Sequence, residues 1–293
     1  MELVSVVVTT YKRPPHIVER AIRSIVEQTY ENIEIIVVDD SPSDYLYRDD
    51  IKQITEIYGK IRPLLYLQHE KNKGACAARN TGIKNSKGAF ICFLDDDDEY
   101  VPIKVERQMK LLSNAPSDGL VYCGCIVTDD DTGERIVQKK KFYRGNVYKH
   151  ILEKNFIGTT SFPLIRKQYL INVGGFDEEL PACQDYDMWI RLCEHYSVDF
   201  INEPLVIYHN HSGDQITKSV SKRINALTRL IMKNEEAFQK NGKLRCIFQL
   251  KLMNEYLREN NKVMAKQILK ECFLRYPWLL KQYFWASIQI IRN

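Results

Sequence analysis

Residues 91 to 102, "ICFLDDDDEYVP", run four apolar side chains straight into five acidic ones, Asp95 to Asp98 and Glu99. Two carboxylates about 5 Å apart repel by about 3 kcal/mol at an effective dielectric near 20. Such a run at a strand end therefore needs water or a neutralising partner. One reading is a solvated turn. The other is a hard divalent cation, which takes oxygen ligands. In extended geometry Asp95 and Asp97 share a face and can hold one ion while Asp96 points elsewhere. An EF-hand starting at Asp95 fails, because its sixth position demands glycine and Tyr100 stands there. A Walker B strand fails as well, for want of a G-x-x-x-x-G-K-[ST] loop after an earlier strand. An Asp-X-Asp metal element remains.

The elements around the run indicate how it is held. "LVSVVVTT" (3–10), "IEIIVVDD" (33–40) and "AFICFL" (89–94) are apolar on both faces and of strand length, and "LLYL" (64–67) is a weaker strand. Pro14-Pro15 opens a helix over "HIVERAIRSIVEQ", and "GACAARNTGIKNS" (74–86) reads as a second helix. Alternation of this kind predicts a mostly parallel sheet covered on both sides, continued by "GLVYCGCIV" (119–127) and a polar turn at 128–134. Ligands bind at the carboxyl edge of such sheets. "TTYKR", Asp39-Asp40 and Asp95 to Asp98 all fall on that edge, which is the main pointer to a site. Beyond 140 the pattern loosens into loops, then resumes with a helix at 185–195 and a strand pair within 198–215. From about 220 onward the chain reads as consecutive amphipathic helices.

The 293 residues carry a net charge of +4 that conceals an asymmetry. Residues 216–293 hold 16 Lys and Arg against 5 Asp and Glu, whereas the rest holds 26 against 33. The expected division is a domain over 1–215 and a basic helical extension over 216–293. The opening residues read as a strand rather than a leader, and no apolar run approaches the roughly 20 residues of a membrane span. Eight cysteines without an export signal read as reduced thiols, with Cys92, Cys123 and Cys125 in the core. The basic tail carries no nucleic-acid-binding signature. Its last stretch, "YPWLLKQYFWASIQIIRN", mixes aromatic, aliphatic and basic residues as a membrane-surface helix does, and a helical-bundle or dimer face is the other reading.

Six stretches in order resemble family 2 glycosyltransferases of the GT-A fold: "VSVVVTTY", "QTYENIEIIVVDDSP", "NKGACAARNTGI", "FLDDDDEYVP", "GGFDEELPACQDYDMWIRL" and "YHNHSGDQIT". The resemblance covers about 1–215 and leaves the basic tail outside it. It implies a Rossmann-like GT-A domain that transfers a sugar from a nucleotide donor with Mn2+ or Mg2+. It implies that Asp40 reads the uracil edge while Thr9 and Tyr11 line base and ribose. Arg79 would reach the diphosphate or brace the acidic loop. Asp97 would bind the metal, with Asp95 and Asp96 at the ribose or at metal-bound water. His211 would approach the metal or the diphosphate. Asp185 would be the base that takes the acceptor's proton, and a single displacement would invert the anomeric centre. Two positions depart from the family pattern: His209 replaces the usual arginine, and Gln184 replaces the usual glutamate.

The expected function is thus an inverting, metal-dependent glycosyltransferase that uses a UDP-sugar. Its acceptor would be a saccharide or lipid-linked saccharide in surface-polysaccharide assembly. The expected location is the cytoplasm, at the inner face of the plasma membrane. Two alternatives stand beside it. A sugar nucleotidyltransferase would need a glycine-rich basic loop near residue 12, and "YKRPPH" lacks the glycines. A degenerate nucleotide-sugar-binding subunit would keep Asp40 and lose Asp185.

Overall fold

The computed structural model describes residues 1–115, 118–210, 219–280 and 283. Strand β1 (Val4–Thr10) lies between β2 (Ile33–Asp39) and β4 (Phe90–Asp95), parallel to both, and β3 (Leu64–Gln68) extends the parallel set beyond β2. The short β8 (Leu164–Arg166) runs antiparallel between β4 and β6 (Asp118–Asp129). Beyond β6 come the parallel β9 (Ser197–Asn210) and the two-residue β5 (Glu99–Tyr100), with β7 (Arg135–Val137) paired off the edge of β6. The apolar runs of β1, β2 and β4 are buried on both faces, as the alternation predicts, whereas β3 at the edge is only partly buried.

Two helices show how sequence fixes this arrangement. Helix α1 (Pro15–Val26) buries Val18, Ala21, Ile22 and Ile25 in one cluster with Val4, Val6 and Val8 of β1. Each fully buried Val or Ile contributes about 1.5–3 kcal/mol. On the other face, α3 (Ala75–Asn85) approaches β1 so closely that a Cβ on Gly82 would lie 2.2 Å from Val7 Cγ1. The helix can sit there only because residue 82 is glycine.

Several elements depart from expectation. Helices α2 (Arg48–Tyr58) and α4 (Lys104–Ser113) fall in stretches where the sequence pattern singles out no element. The expected strand pair after residue 198 is one strand, β9, whose pairing with β6 is irregular around Pro204. Proline within a strand is accommodated at such a bulge. Helices α5 (Tyr148–Glu153) and α6 (Lys167–Asn172) punctuate the region read as loops, and α7 (Gln184–His195) follows.

The chain forms two compact units. The first comprises Met1–Tyr148, Phe156–Glu178 and Met188–Ser212, and contains the sheet. The second comprises Lys149–Asn155, Glu179–Asp187 and Gly213–Asn293. It holds helices α8 (Val220–Lys233), α9 (Glu235–Lys240), α10 (Gly242–Arg258) and α11 (Lys262–Arg275), together with two short pieces from the middle of the chain. All eight cysteines are free thiols, and Cys92, Cys123 and Cys125 are buried on β4 and β6. Among the described residues no helix is long and apolar enough to cross a membrane.

Candidate active site

In-register pairing brings the candidate residues to one sheet edge. Thr9 stands opposite Val38 on one side and Asp95 on the other, and Thr10 stands opposite Asp39. Asp39 shapes the turn after β2: it accepts the Ser41 N–H (2.9 Å) and the Tyr66 hydroxyl (2.8 Å). Burial, followed by the Asp39 charge, pushes the Tyr66 hydroxyl pKa up, so it stays a donor.

Asp40 is buried and anchors the entry to α3. It accepts the N–H groups of Lys73 (2.8 Å) and Gly74 (2.7 Å), and His69 Nδ1 lies 2.7 Å from its Oδ1. Facing a carboxylate, Nδ1 donates to it, and the Thr81 hydroxyl lies 3.0 Å from Nε2. Gly74 can offer its N–H here because it adopts φ +91°, a conformation open to glycine. Oδ1 has two partners and Oδ2 has one. By count, Oδ2 can accept one further donor. Tyr11 is exposed beyond β1. A polar cavity of about 490 Å³ opens on the same edge, lined by Ser43, Tyr45, Arg48, Asp49, Gln68 and Glu70.

The acidic run does not continue as an extended strand. The chain turns at Asp96–Asp97, and the Asp98 N–H closes the turn on the Asp95 carbonyl (3.0 Å). The expectation that Asp95 and Asp97 share a strand face is corrected accordingly: each carboxylate has its own partner. Asp95 Oδ1 accepts from Arg79 Nη2 (2.7 Å) and the Thr160 hydroxyl (3.0 Å). Arg79, buried on α3 with its guanidinium over the Phe176 ring, is the brace of the acidic loop here. Arg13 grips the turn, with Nε donating to Asp96 Oδ1 and Nη2 to Asp97 Oδ2, both at 3.0 Å. Burial raises the Asp96 carboxyl pKa to about 6, against the pull of Arg13 and with the Asp97 charge adding to the rise. Burial opposes the charge of Arg13 too, but Asp96, Asp97 and Asp95 outweigh it and hold its proton more firmly.

Asp98 turns inward. It accepts the Ser161 hydroxyl (2.6 Å) and the His209 N–H (3.3 Å), and burial, then the charges of Asp95 and Asp97, push its pKa well up. The His209 ring lies between Asp130 (Nδ1 to Oδ1, 2.5 Å) and Glu99 (Nε2 to Oε1, 2.8 Å). Both ring nitrogens are thus committed to the protein's own carboxylates. At this position the chain locks β9 to the acidic strand rather than presenting a cation to a ligand. His211 lies outside the described residues.

Among the described residues no group of three or more His, Cys, Asp or Glu side chains is arranged to hold a metal ion. An all-protein cage is therefore not what these residues build. A Mg2+-type ion, however, is usually held by one or two carboxylates with substrate phosphates and water completing its shell. Asp97, the more open of the two carboxylates on Arg13, suits that donor set: its side chain is 18% exposed against 6% for Asp96. The Arg13 guanidinium already holds a positive charge at this position.

Asp185 lies in the second unit, in the first turn of α7, and its Oδ2 accepts from Asn155 Nδ2 (3.1 Å). The neighbouring Asp187 is buried in an ion pair with Lys233 of α8 (2.5 Å), a structural use of that carboxylate. Cys183, just before the helix, takes the left-handed φ of 57°, uncommon for a side chain-bearing residue.

Sequence reasoning missed Arg13, His69, Thr160 and Ser161. A signal existed for Arg13, since "TTYKR" ends on the same sheet edge as the acidic run. His69 likewise follows a strand end. Thr160 and Ser161 sit in a segment with no periodic pattern, placed by the Trp189 indole N–H on the Gly158 carbonyl (2.8 Å).

This architecture is shared with known proteins. The Glycosyl transferase family 2 model matches residues 5–174, and the chain belongs to that family. An uncharacterized glycosyltransferase of Rickettsia felis is 31% identical over 231 residues, covering 75% of this chain and 36% of that protein. The chain thus spans about a third of that relative's length. The putative colanic acid biosynthesis glycosyl transferase WcaA of Escherichia coli is 28% identical over 255 residues, covering 85% of this chain and 87% of that one. In fold, the chain is similar to S. aureus TarS 1–349 solved in complex with UDP-GlcNAc, with TM-score 0.67, 17% identity, and coverage of 99% of this chain and 89% of that one.

Proposed function

We propose that this chain transfers a sugar from a UDP-linked donor to a saccharide or lipid-linked saccharide acceptor, with inversion, in surface-polysaccharide assembly. The observation that carries the reading is the convergence of Thr9, Asp40 and the Arg79–Asp95 and Arg13–Asp97 pairs on one sheet edge, in a chain of this family. The name of WcaA supports the polysaccharide context, and TarS in complex with UDP-GlcNAc supports the donor class.

In this reading the free acceptor position of Asp40 takes the uracil N–H, with Thr9 and Tyr11 beside base and ribose. Asp95 and Asp96 lie toward the ribose, and Asp97, with His211, holds Mn2+ or Mg2+. Such an ion supplies positive charge against the charge growing on the departing diphosphate. Arg79 fixes Asp95 so that the turn presents Asp97 outward. Asp185 takes the proton of the attacking acceptor hydroxyl, and Asn155 orients its carboxylate. Attack from the face opposite the diphosphate inverts the anomeric centre. The basic helical part, 216–293 in the sequence division, places the enzyme on the anionic cytoplasmic face of the plasma membrane. A homodimer through these helices is the other arrangement.

The test is a screen of nucleotide sugars with Mn2+ or Mg2+, reading released nucleotide and then transfer to saccharide acceptors. Release from one or more UDP-sugars above a chelated control is expected. UDP binding without turnover of any donor would favour the degenerate binding subunit instead.

A further inference from the structure

The Arg13 guanidinium occupies the position a cation would take on Asp97, and its placement is not casual. Lys12, just before it, adopts a left-handed φ of 48°, and its N–H is tied to the Ser41 hydroxyl (2.8 Å). Pro14 and Pro15 follow, so the backbone leading to Arg13 is fixed on both sides. The side chain then spans two carboxylates, with Asp96 Oδ1 at 2.9 Å and Asp97 Oδ2 at 3.0 Å from the same nitrogen. A second arginine, Arg20 of α1, holds the backbone of the turn through the Asp97 carbonyl (2.8 Å). The turn is thus kept in shape by Arg20 while the carboxylate charge is met by Arg13.

Resting on the donor-site reading above, we propose that Arg13 is a positioning residue that holds the cation's place on Asp97 until a divalent ion and a nucleoside diphosphate arrive together. An ion arriving alone must displace the guanidinium from Asp97 and leave it beside a second positive charge with only Asp96 to hold it. A diphosphate arriving with the ion gives the displaced guanidinium a new partner, since its planar fork matches phosphate oxygens. Metal and nucleotide then bind with positive coupling, and the coupling is reciprocal. Arg13 also keeps the acidic turn compact between turnovers, where uncompensated carboxylates would drive it open.

The test measures Mn2+ binding to the full chain, by calorimetry and by the spin-resonance signal of free Mn2+, with and without UDP. Wild type is expected to bind Mn2+ weakly alone and far more tightly with UDP. Arg13→Met is expected to bind Mn2+ alone at least about tenfold more tightly than wild type, within the usual range of coupling factors. Its gain in Mn2+ affinity on adding UDP should shrink accordingly. Mn2+ alone should also raise the melting temperature of this variant more than that of wild type. Arg13→Lys keeps one charge but cannot bridge two carboxylates, so a smaller shift in the same direction is expected, and this variant carries the test if Arg13→Met fails to fold. Unchanged nucleotide-free Mn2+ affinity in the folded variants, with UDP-dependent binding intact, would overturn the role of Arg13 alone. Absence of Mn2+ binding in every protein, with or without UDP, would overturn the metal reading and this proposal with it.

Discussion

At the acidic turn, burial acts against ionising Asp96, the Arg13 charge favours it, and the Asp97 charge adds to the opposition. Its folded pKa is raised from 3.8 to about 6, so the folded state binds its proton more tightly than the unfolded chain does. The resulting stability is fully present below pH 3.8 and is lost as pH rises through about 6. Without divalent ions, the melting temperature of Asp96→Asn relative to wild type should therefore climb between about pH 4 and 6 and level off above. A difference that stays constant across this range would contradict the assignment. Asp185 gives the second prediction at this scale. Asp185→Asn should retain UDP-sugar affinity and lose transfer by about 10²-fold or more, the scale of a positioned general base. Removing a carboxylate from the first turn of α7 also costs about 0.3–1 kcal/mol of helix-dipole stabilisation, so folding must be followed in parallel. Near-wild-type transfer by the folded variant would move the base elsewhere. Asp187, held by Lys233, is a poor replacement.

Among the elements, those whose residues answer to one physical demand were legible in the sequence. Strands β1, β2 and β4 are buried on both faces and read as continuous apolar runs, and α1 shows one clean apolar stripe behind two prolines. Helix α4 was not legible because Lys104 and Gln108 occupy buried positions where apolar residues mark a stripe. Lys104 is buried against the Tyr100 ring, and Gln108 donates to the carbonyls of Val121 and Phe162. Helix α2 buries only Arg48, Ile51 and Thr55, too thin a face to read. Strands β5 and β8, of two and three residues, exist only through their sheet partners. The donor-side residues were legible because they fall at strand ends. Their partners were less so, because ion pairs such as Arg13 with Asp96 join residues 83 positions apart. Gly82 supplies a prediction at this scale. A methyl at this position meets Val7, so Gly82→Ala should destabilise by about 1–3 kcal/mol in chemical denaturation, despite alanine's better helix propensity. Val7→Ala in the same chain should recover part of that loss, and purely additive effects would contradict the contact.

Over the whole molecule, charge is divided between the two units. The second carries 18 Lys and Arg against 10 Asp and Glu, and the first 24 against 28. At the end of α11 and just past it, Leu274, Trp278 and Leu280 are 69%, 68% and 65% exposed, close to Lys270 and Arg275 in sequence. The stretch read as a membrane-surface helix continues past them, largely outside the described residues. Each basic residue near an anionic surface contributes roughly 1 kcal/mol, screened by salt. Replacing Leu274, Trp278 and Leu280 by serine should weaken co-sedimentation with phosphatidylglycerol vesicles and spare donor hydrolysis. Unchanged sedimentation with loss of a dimer would assign this face to a protein partner instead. In the proposed function, the carboxyl edge of β1, β2 and β4 binds a UDP-linked donor through a divalent ion on Asp97. Calorimetric titration of UDP into wild type with Mg2+, into wild type with chelator, and into Asp97→Ala with Mg2+ tests it most directly. Saturable binding is expected in the first case and at least about tenfold weaker binding in the other two, a difference of about 1.4 kcal/mol or more. Equal UDP affinity in all three, or none in folded wild type with either Mg2+ or Mn2+, would contradict it.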